Sequence, residues 1–182
     1  MDMLSYIYPW STDTEPNSIA EIIHDLRSIL HKPTVLHPST IEFLIDWVYG
    51  TPAETDLNPI WSEVMISGPI SYLPYLYRGT VETGDCYHEY ISFSTSYEIA
   101  EQFMCRNMDR FSLPGIIKRI SCDTSALLYY PLCDVIDNVL PEDPLQGHPS
   151  FFKDQIRTIL AEQEYVVYND PFLAHIVFTL DD

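Results

Sequence analysis

The sequence predicts an α+β protein in which helices come first and antiparallel strands follow. Two patterns and a composition carry that prediction. Apolar residues recur at helical spacing up to about residue 66, and after Pro69 the pattern changes to short β-branched or aromatic runs separated by turn residues. With 182 residues, of which 46% are hydrophobic and 13% aromatic, the chain has material for one substantial core and argues against wholesale disorder.

In the first helix, Ser18-Ile19-Ala20-Glu21 has the form of a capping box, and Ile19, Ile22, Ile23, Leu26, Ile29 and Leu30 form a stripe that ends before Pro33. In the second, Ser39-Thr40-Ile41-Glu42 repeats the box, Ile41, Leu44, Ile45 and Val48 make the stripe, and Gly50 suits a C-terminal cap. Asn58-Pro59 predicts the start of a third helix through about Ile66, closed by Gly68-Pro69. Strands are predicted over Leu73 to Thr80, Glu89 to Ser94, Gly115 to Cys122, Ala126 to Tyr130, Glu164 to Tyr168 and Ala174 to Leu180. One helix interrupts them from about Tyr97 to Asn107, with Thr95-Ser96-Tyr97-Glu98 as its box. Residues 133–153, rich in Asp and Pro, predict a long loop, and Phe152, Ile156, Ile159 and Leu160 fit either a helix up to Glu162 or an anchored loop. The organisation is thus a helical segment, 1–69, packed on a core of 70–182, within one compact unit.

Charge narrows the partners. Nine Lys and Arg against 27 Asp and Glu give a net charge of −18, the wrong sign for neutralising phosphates, so nucleic-acid and anionic-membrane binding are not expected and basic protein partners are. No Lys or Arg precedes Arg27 and no apolar run approaches the ~20 residues of a membrane span, so neither a signal peptide nor a transmembrane helix is expected. A cytoplasmic location is the expectation, a host's cytoplasm if the source is viral. Cys86, Cys105, Cys122 and Cys133 form no CxxC pair, and His24, His31, His37, His88, His148 and His175 have no ligand spacing, so no metal site is expected.

Three small features stand out. Tyr77-Arg78-Gly79 ends a predicted strand, where an arginine is ordinarily solvated or salt-bridged but also offers a planar donor fork to phosphate, with the glycine allowing close approach. Ser94-Thr95-Ser96 lies at a strand-to-helix junction, where capping alone explains it unless the Ser94 hydroxyl positions a ligand or a carboxylate. Glu162-Gln163-Glu164, if extended, sets two carboxylates on one face roughly 7 Å apart, although an acidic strand face is the ordinary reading.

Taken in order, the three features resemble the motif series of the R-S-E class of ADP-ribosyltransferases, the arginine-directed, cholera-toxin-like branch. The series comprises Arg78 within Leu76-Tyr77-Arg78-Gly79, Ser94-Thr95-Ser96 after Ile91-Ser92-Phe93, and Glu162-Gln163-Glu164 before Tyr165-Val166-Val167. The resemblance covers about residues 70–182 and is nearest to phage-encoded enzymes that modify host proteins. It implies a split two-sheet core around an NAD cleft, with NAD consumed as cosubstrate and no metal. It further implies that Glu164 is the catalytic carboxylate, that Ser94 holds Glu164 and the nicotinamide ribose, that Arg78 contacts the diphosphate, and that the Gly79 backbone meets the nicotinamide amide. Glu162 would present an acceptor arginine on a target protein. Thr95 and Ser96 would complete the NAD-binding set. The segment Met104 to Pro114, with Arg106, Arg110 and Phe111, would form the phosphate-nicotinamide loop, a solvated loop being the plain alternative. Two other functions stand beside transfer to arginine: an NAD glycohydrolase on the same cleft, and a non-catalytic module that grips a basic partner.

Overall fold

The computed structural model describes residues 16–49, 54–82, 88–140 and 157–180. Three helices lead, α1 (Pro16–Ile29), α2 (Pro38–Tyr49) and α3 (Glu54–Val64). The strands are β1 (Ile66–Ser67), β2 (Tyr75–Val81), β3 (Tyr90–Ser94), β4 (Gly115–Ser121), β5 (Leu128–Tyr130), β6 (Glu164–Tyr168) and β7 (His175–Leu180). Helices α4 (Tyr97–Phe111) and α5 (Leu132–Val135) lie among them, and a further helix, α6, covers 157–162. The chain is α+β, and among the described residues every strand pairs antiparallel.

The sheet order is β1-β5-β6-β3-β2-β4-β7. Its pairing is uneven. β2 and β4 share seven residue pairs and β3 and β6 share five, whereas β2 and β3 meet only at Tyr77 opposite Ser94. Two well-bonded halves therefore join at a single point and diverge from it, which opens space in the middle of the sheet without exposing an outer edge.

Alternation along β6 explains how the two faces are filled. Val166 points to the side where Leu26, Ile29, Phe43, Leu44, Trp61 and Tyr130 make the larger buried cluster, and Tyr165 and Val167 point to the other, with Phe93, Leu76 and Ile120. Helices α1 to α3 thus cover one face of the β5-β6-β3 half. The Tyr130 hydroxyl donates to the Leu26 carbonyl at 2.7 Å, so the phenol is satisfied as it is buried.

The start of α2 is capped from outside its own sequence. Asp25 of α1, almost fully buried, accepts from the His37 backbone N–H at 2.6 Å and from the Thr40 hydroxyl at 2.7 Å, and pairs with His37 Nδ1 at 2.9 Å. The expected box at Ser39 to Glu42 is replaced by this carboxylate, because α2 already begins at Pro38. In the same way α1 begins at Pro16, ahead of Ser18, and α3 begins at Glu54 and carries Pro59 inside it, where burial of Ile60, Trp61 and Val64 compensates one missing donor. The α4 cap is Ser96 rather than Thr95: its Oγ accepts from the Ile99 N–H at 3.3 Å.

Helix α4 lies directly on β2. A Cβ added at Gly79 would come within 1.6 Å of the Ala100 carbonyl oxygen and 2.6 Å of the Met104 nitrogen, so only glycine lets the helix backbone touch the strand. This contact, continued by Met104 on Ile117, carries α4 to Phe111 beyond the predicted end at Asn107. Residues 132–138 are helical, α5 followed by a 3₁₀ turn, where a loop is predicted; Gly50 and residues 141–153 of that loop lie outside the described residues. Strand β7 forms the far edge with all six residues exposed.

Gly79→Ala should lower stability by about 3 kcal/mol, read as a lower urea midpoint at unchanged slope, since backbone cannot yield as a side chain would.

Candidate active site

The divergence of β2 from β3 leaves a cavity of about 250 Å³ bounded by α2, α4, the two strands and the junction of α6 with β6. Arg78, Gly79, Ser94, Glu162 and Glu164, separated by up to 86 positions in sequence, all line it. Asp46, Trp47, Ser92 and Phe103 line it too.

Glu164 opens β6 with its side chain on the helix-covered face, 4% exposed. Burial raises its pKa; bonds from Ser92 and Trp47 and the nearby Arg78 charge oppose that rise. Ser92 Oγ donates to Oε1 at 2.5 Å, and Trp47 Nε1 donates to the same oxygen. The expected holder was Ser94. That hydroxyl instead donates to the Glu162 carbonyl at 2.8 Å and accepts from the Ser96 N–H at 3.1 Å, because Ser94 stands directly opposite Glu164 at the end of the ladder, beside the α6–β6 turn.

Glu162 and Glu164 do not reach the cavity as alternate residues of a strand. Glu162 ends α6, and Gln163 turns the chain at φ 50°, a left-handed conformation uncommon outside glycine. The turn is held from β3: the Thr95 N–H donates to the Gln163 carbonyl at 3.3 Å and the Thr95 hydroxyl bonds the Gln163 side chain. Thr95 therefore holds the acidic turn through both the backbone and the side chain of Gln163, and Ser96 serves as a helix cap.

Burial, then the charge of Glu164, pushes the Glu162 carboxyl up to about 7, with Arg106 pulling the other way. Asp46 of α2 is pushed up to about 6 by burial and by Glu42. Three carboxyl groups with raised pKa values thus line the same cavity as Arg78, whose charge acts on Glu164 and whose Nη1 donates to the Ser92 carbonyl at 2.8 Å. That bond spans the seam where ladder bonds between β2 and β3 are lacking, and brings the guanidinium toward Glu164.

The remaining sequence candidates fall elsewhere. Arg106, Arg110 and Phe111 lie on the last turns of α4, not on a loop, and none lines the cavity. Arg106 lies 5.4 Å from the Phe103 ring centroid and Arg110 lies 5.1 Å from that of Phe111, which is 51% exposed. Packing on Gly79 and Gly115 keeps this segment helical, so the expected phosphate-nicotinamide loop is absent at 104–111. Conversely, Trp47 and Asp46 carry no local sequence signal, while Ser92 could have been found as the period-two partner of Ser94. Among the described residues no group of three or more His, Cys, Asp or Glu is arranged to hold a metal, and no helix is long and apolar enough to cross a membrane.

Raised carboxyl pKa values mean that the folded chain binds more protons than the unfolded chain between about 4 and 7. Their contribution to stability is full below about pH 4 and is lost as pH rises through about 6 for Asp46 and about 7 for Glu162. Urea denaturation should show the stability difference between pH 5 and pH 8 narrowing by about 1 kcal/mol in Glu162→Gln, solvent screening at this half-buried group reducing the full linkage value.

No protein-family model, curated protein or solved structure matches the chain, so the chemistry of the site rests on its own residues.

Proposed function

We propose that the chain is a mono-ADP-ribosyltransferase that moves ADP-ribose from NAD to an arginine side chain of a target protein and releases nicotinamide. The observation that carries the reading is the convergence of Arg78, Ser94, Glu162 and Glu164 on one cavity at the seam where β2 and β3 share a single residue pair. The strands form one seven-stranded sheet and not the two sheets expected of such a core, and the single residue pair joining β2 to β3 is the feature of that sheet the reading draws on. At about 250 Å³ the cavity is smaller than the ~300–1,000 Å³ of sites that enclose a drug-sized ligand, so it receives the nicotinamide-ribose half of NAD and leaves the adenosine half outside.

Breaking the bond between ribose C1′ and the nicotinamide nitrogen sends the bonding pair to the nicotinamide and leaves oxocarbenium character on the sugar. Glu164, preorganised by two donors, faces that developing positive charge, an effect worth ~10²–10³ in rate for a well-placed group. Arg78 offers the diphosphate its donor fork. A guanidinium nitrogen of the acceptor then bonds to C1′ as Glu162, in its carboxylate form, takes the departing proton. Acceptor guanidinium beside Glu162 favours that carboxylate form.

Purified chain with NAD and a polyarginine acceptor provides the test. Glu164→Gln should lower both nicotinamide release and acceptor labelling at least 10²-fold, and Glu162→Gln should keep release within a few-fold while labelling falls about 10²-fold. Wild-type labelling should climb as pH rises toward 7 and beyond, following ionisation of Glu162. Nicotinamide release that survives Glu164→Gln would overturn the assignment, and free ADP-ribose formed equally with and without acceptor would assign hydrolysis in its place.

A further inference from the structure

The N-terminal helices bury a large apolar cluster, and that alone would make them a structural support. One contact does not fit so limited a role. Trp47 lies on the cavity side of α2, packed edge-on to Trp61 with ring centroids 5.0 Å apart and planes at 70°, and its indole N–H reaches Glu164 117 residues further along the chain. Trp61 is itself fixed between Phe43, at 5.1 Å, and Tyr130, at 5.5 Å. An indole held by its ring on a rigid aromatic cluster aims its one donor at little cost in side-chain entropy.

We propose that Trp47 is a positioning residue for the carboxylate of Glu164, so that α2 is part of the reaction site and not only of the core. The donor geometry gives the role its content. Trp47 and Ser92 both address Oε1, from α2 and from β3 respectively, which fixes the plane of the carboxylate and leaves Oε2 to face a ligand. Neither donor alone sets that plane, because a carboxylate held by one bond still turns about its last torsion. The position of α2 is in turn governed by Asp25, which caps its first turn, so the orientation of Glu164 depends on the docking of α1 and α2.

The charged and titratable groups around Glu164 come from every side: Asp46 of α2, Arg78 of β2, Glu162 of α6, Cys133 of α5, and His88 just before β3, which lines the same cavity. Loss of the indole donor disfavours the ionised form of Glu164 against this background, so its titration midpoint moves up, and any rate that needs the carboxylate loses its acidic limb at higher pH.

The role of Trp47 rests on the proposed transfer only for its catalytic consequence, and the experiment separates the two. ¹³C-labelled glutamate reports the Glu164 titration by NMR in the full chain, without substrate, with Glu164→Gln assigning the resonance. Trp47→Phe keeps the packed ring and removes the N–H, and benzothienylalanine at the same position keeps the bicyclic shape if phenylalanine loosens the cluster. The expected result is a rise of about one pH unit in the Glu164 midpoint in either variant, a similar rise in Ser92→Ala, and a fall in kcat of about tenfold with KM for NAD within about twofold. An unchanged midpoint in Trp47→Phe and in the isostere, whatever happens to their melting temperature, would overturn the proposal and leave Trp47 as packing alone. A raised midpoint in a chain whose wild type releases no nicotinamide would uphold the positioning and remove the ADP-ribosyl transfer.

Discussion

A carboxylate taken out of water loses several kcal/mol of solvation unless the protein returns hydrogen bonds and opposite charge, and Glu164 is the place where this chain meets that constraint. The hydroxyl of Ser92, the indole of Trp47 and the charge of Arg78 come from three separate segments to meet it. Each has its own requirement. Ser92 must stand on the helix-covered face of β3, Arg78 must cross the seam to the Ser92 carbonyl, and α2 must lie on the sheet at the level of β6. Much of the architecture follows from satisfying one buried acid.

The seam is the second half of the same arrangement. A fully paired β2 and β3 would be a continuous sheet with no interior space, while a fully separate pair would leave two rows of unsatisfied backbone groups. One residue pair at Tyr77 and Ser94, with Arg78 bonding across, is the compromise, and the space it leaves is where the acidic side chains face one another. Helix α4 sits against one side of this opening because Gly79 lets it touch β2, and α2 bounds the other because Asp25 and the aromatic cluster hold it. Burial holds the carboxyl groups of this space at raised pKa values, to about 7 for Glu162 and about 6 for Asp46, so they exchange protons closer to neutrality than exposed acids do.

Local sequence patterns determined the class and the inventory of this protein. Helical spacing in Ile19 to Leu30 and Ile41 to Val48 was sufficient because burial on one face imposes a period on the chain, and the β-branched and aromatic run Tyr165 to Tyr168 was sufficient because such residues suit a strand buried on both faces. Arg78, Gly79, Ser94, Glu162 and Glu164 were likewise visible as unusual residues at element ends, and all five reach the same cavity. Tertiary contacts decided the rest. No pattern around Trp47 announces a partner 117 residues away, Asp25 caps a helix that is not its own, and Gly79 is required by the backbone of α4. The same contacts turned 104–111 into helix, moved the holding of Glu164 from Ser94 to Ser92, and set Glu162 at a left-handed turn instead of along a strand. Periodicity records which face of an element is buried, and it carries no information about which distant atom meets that face, since that is settled only when the whole chain packs.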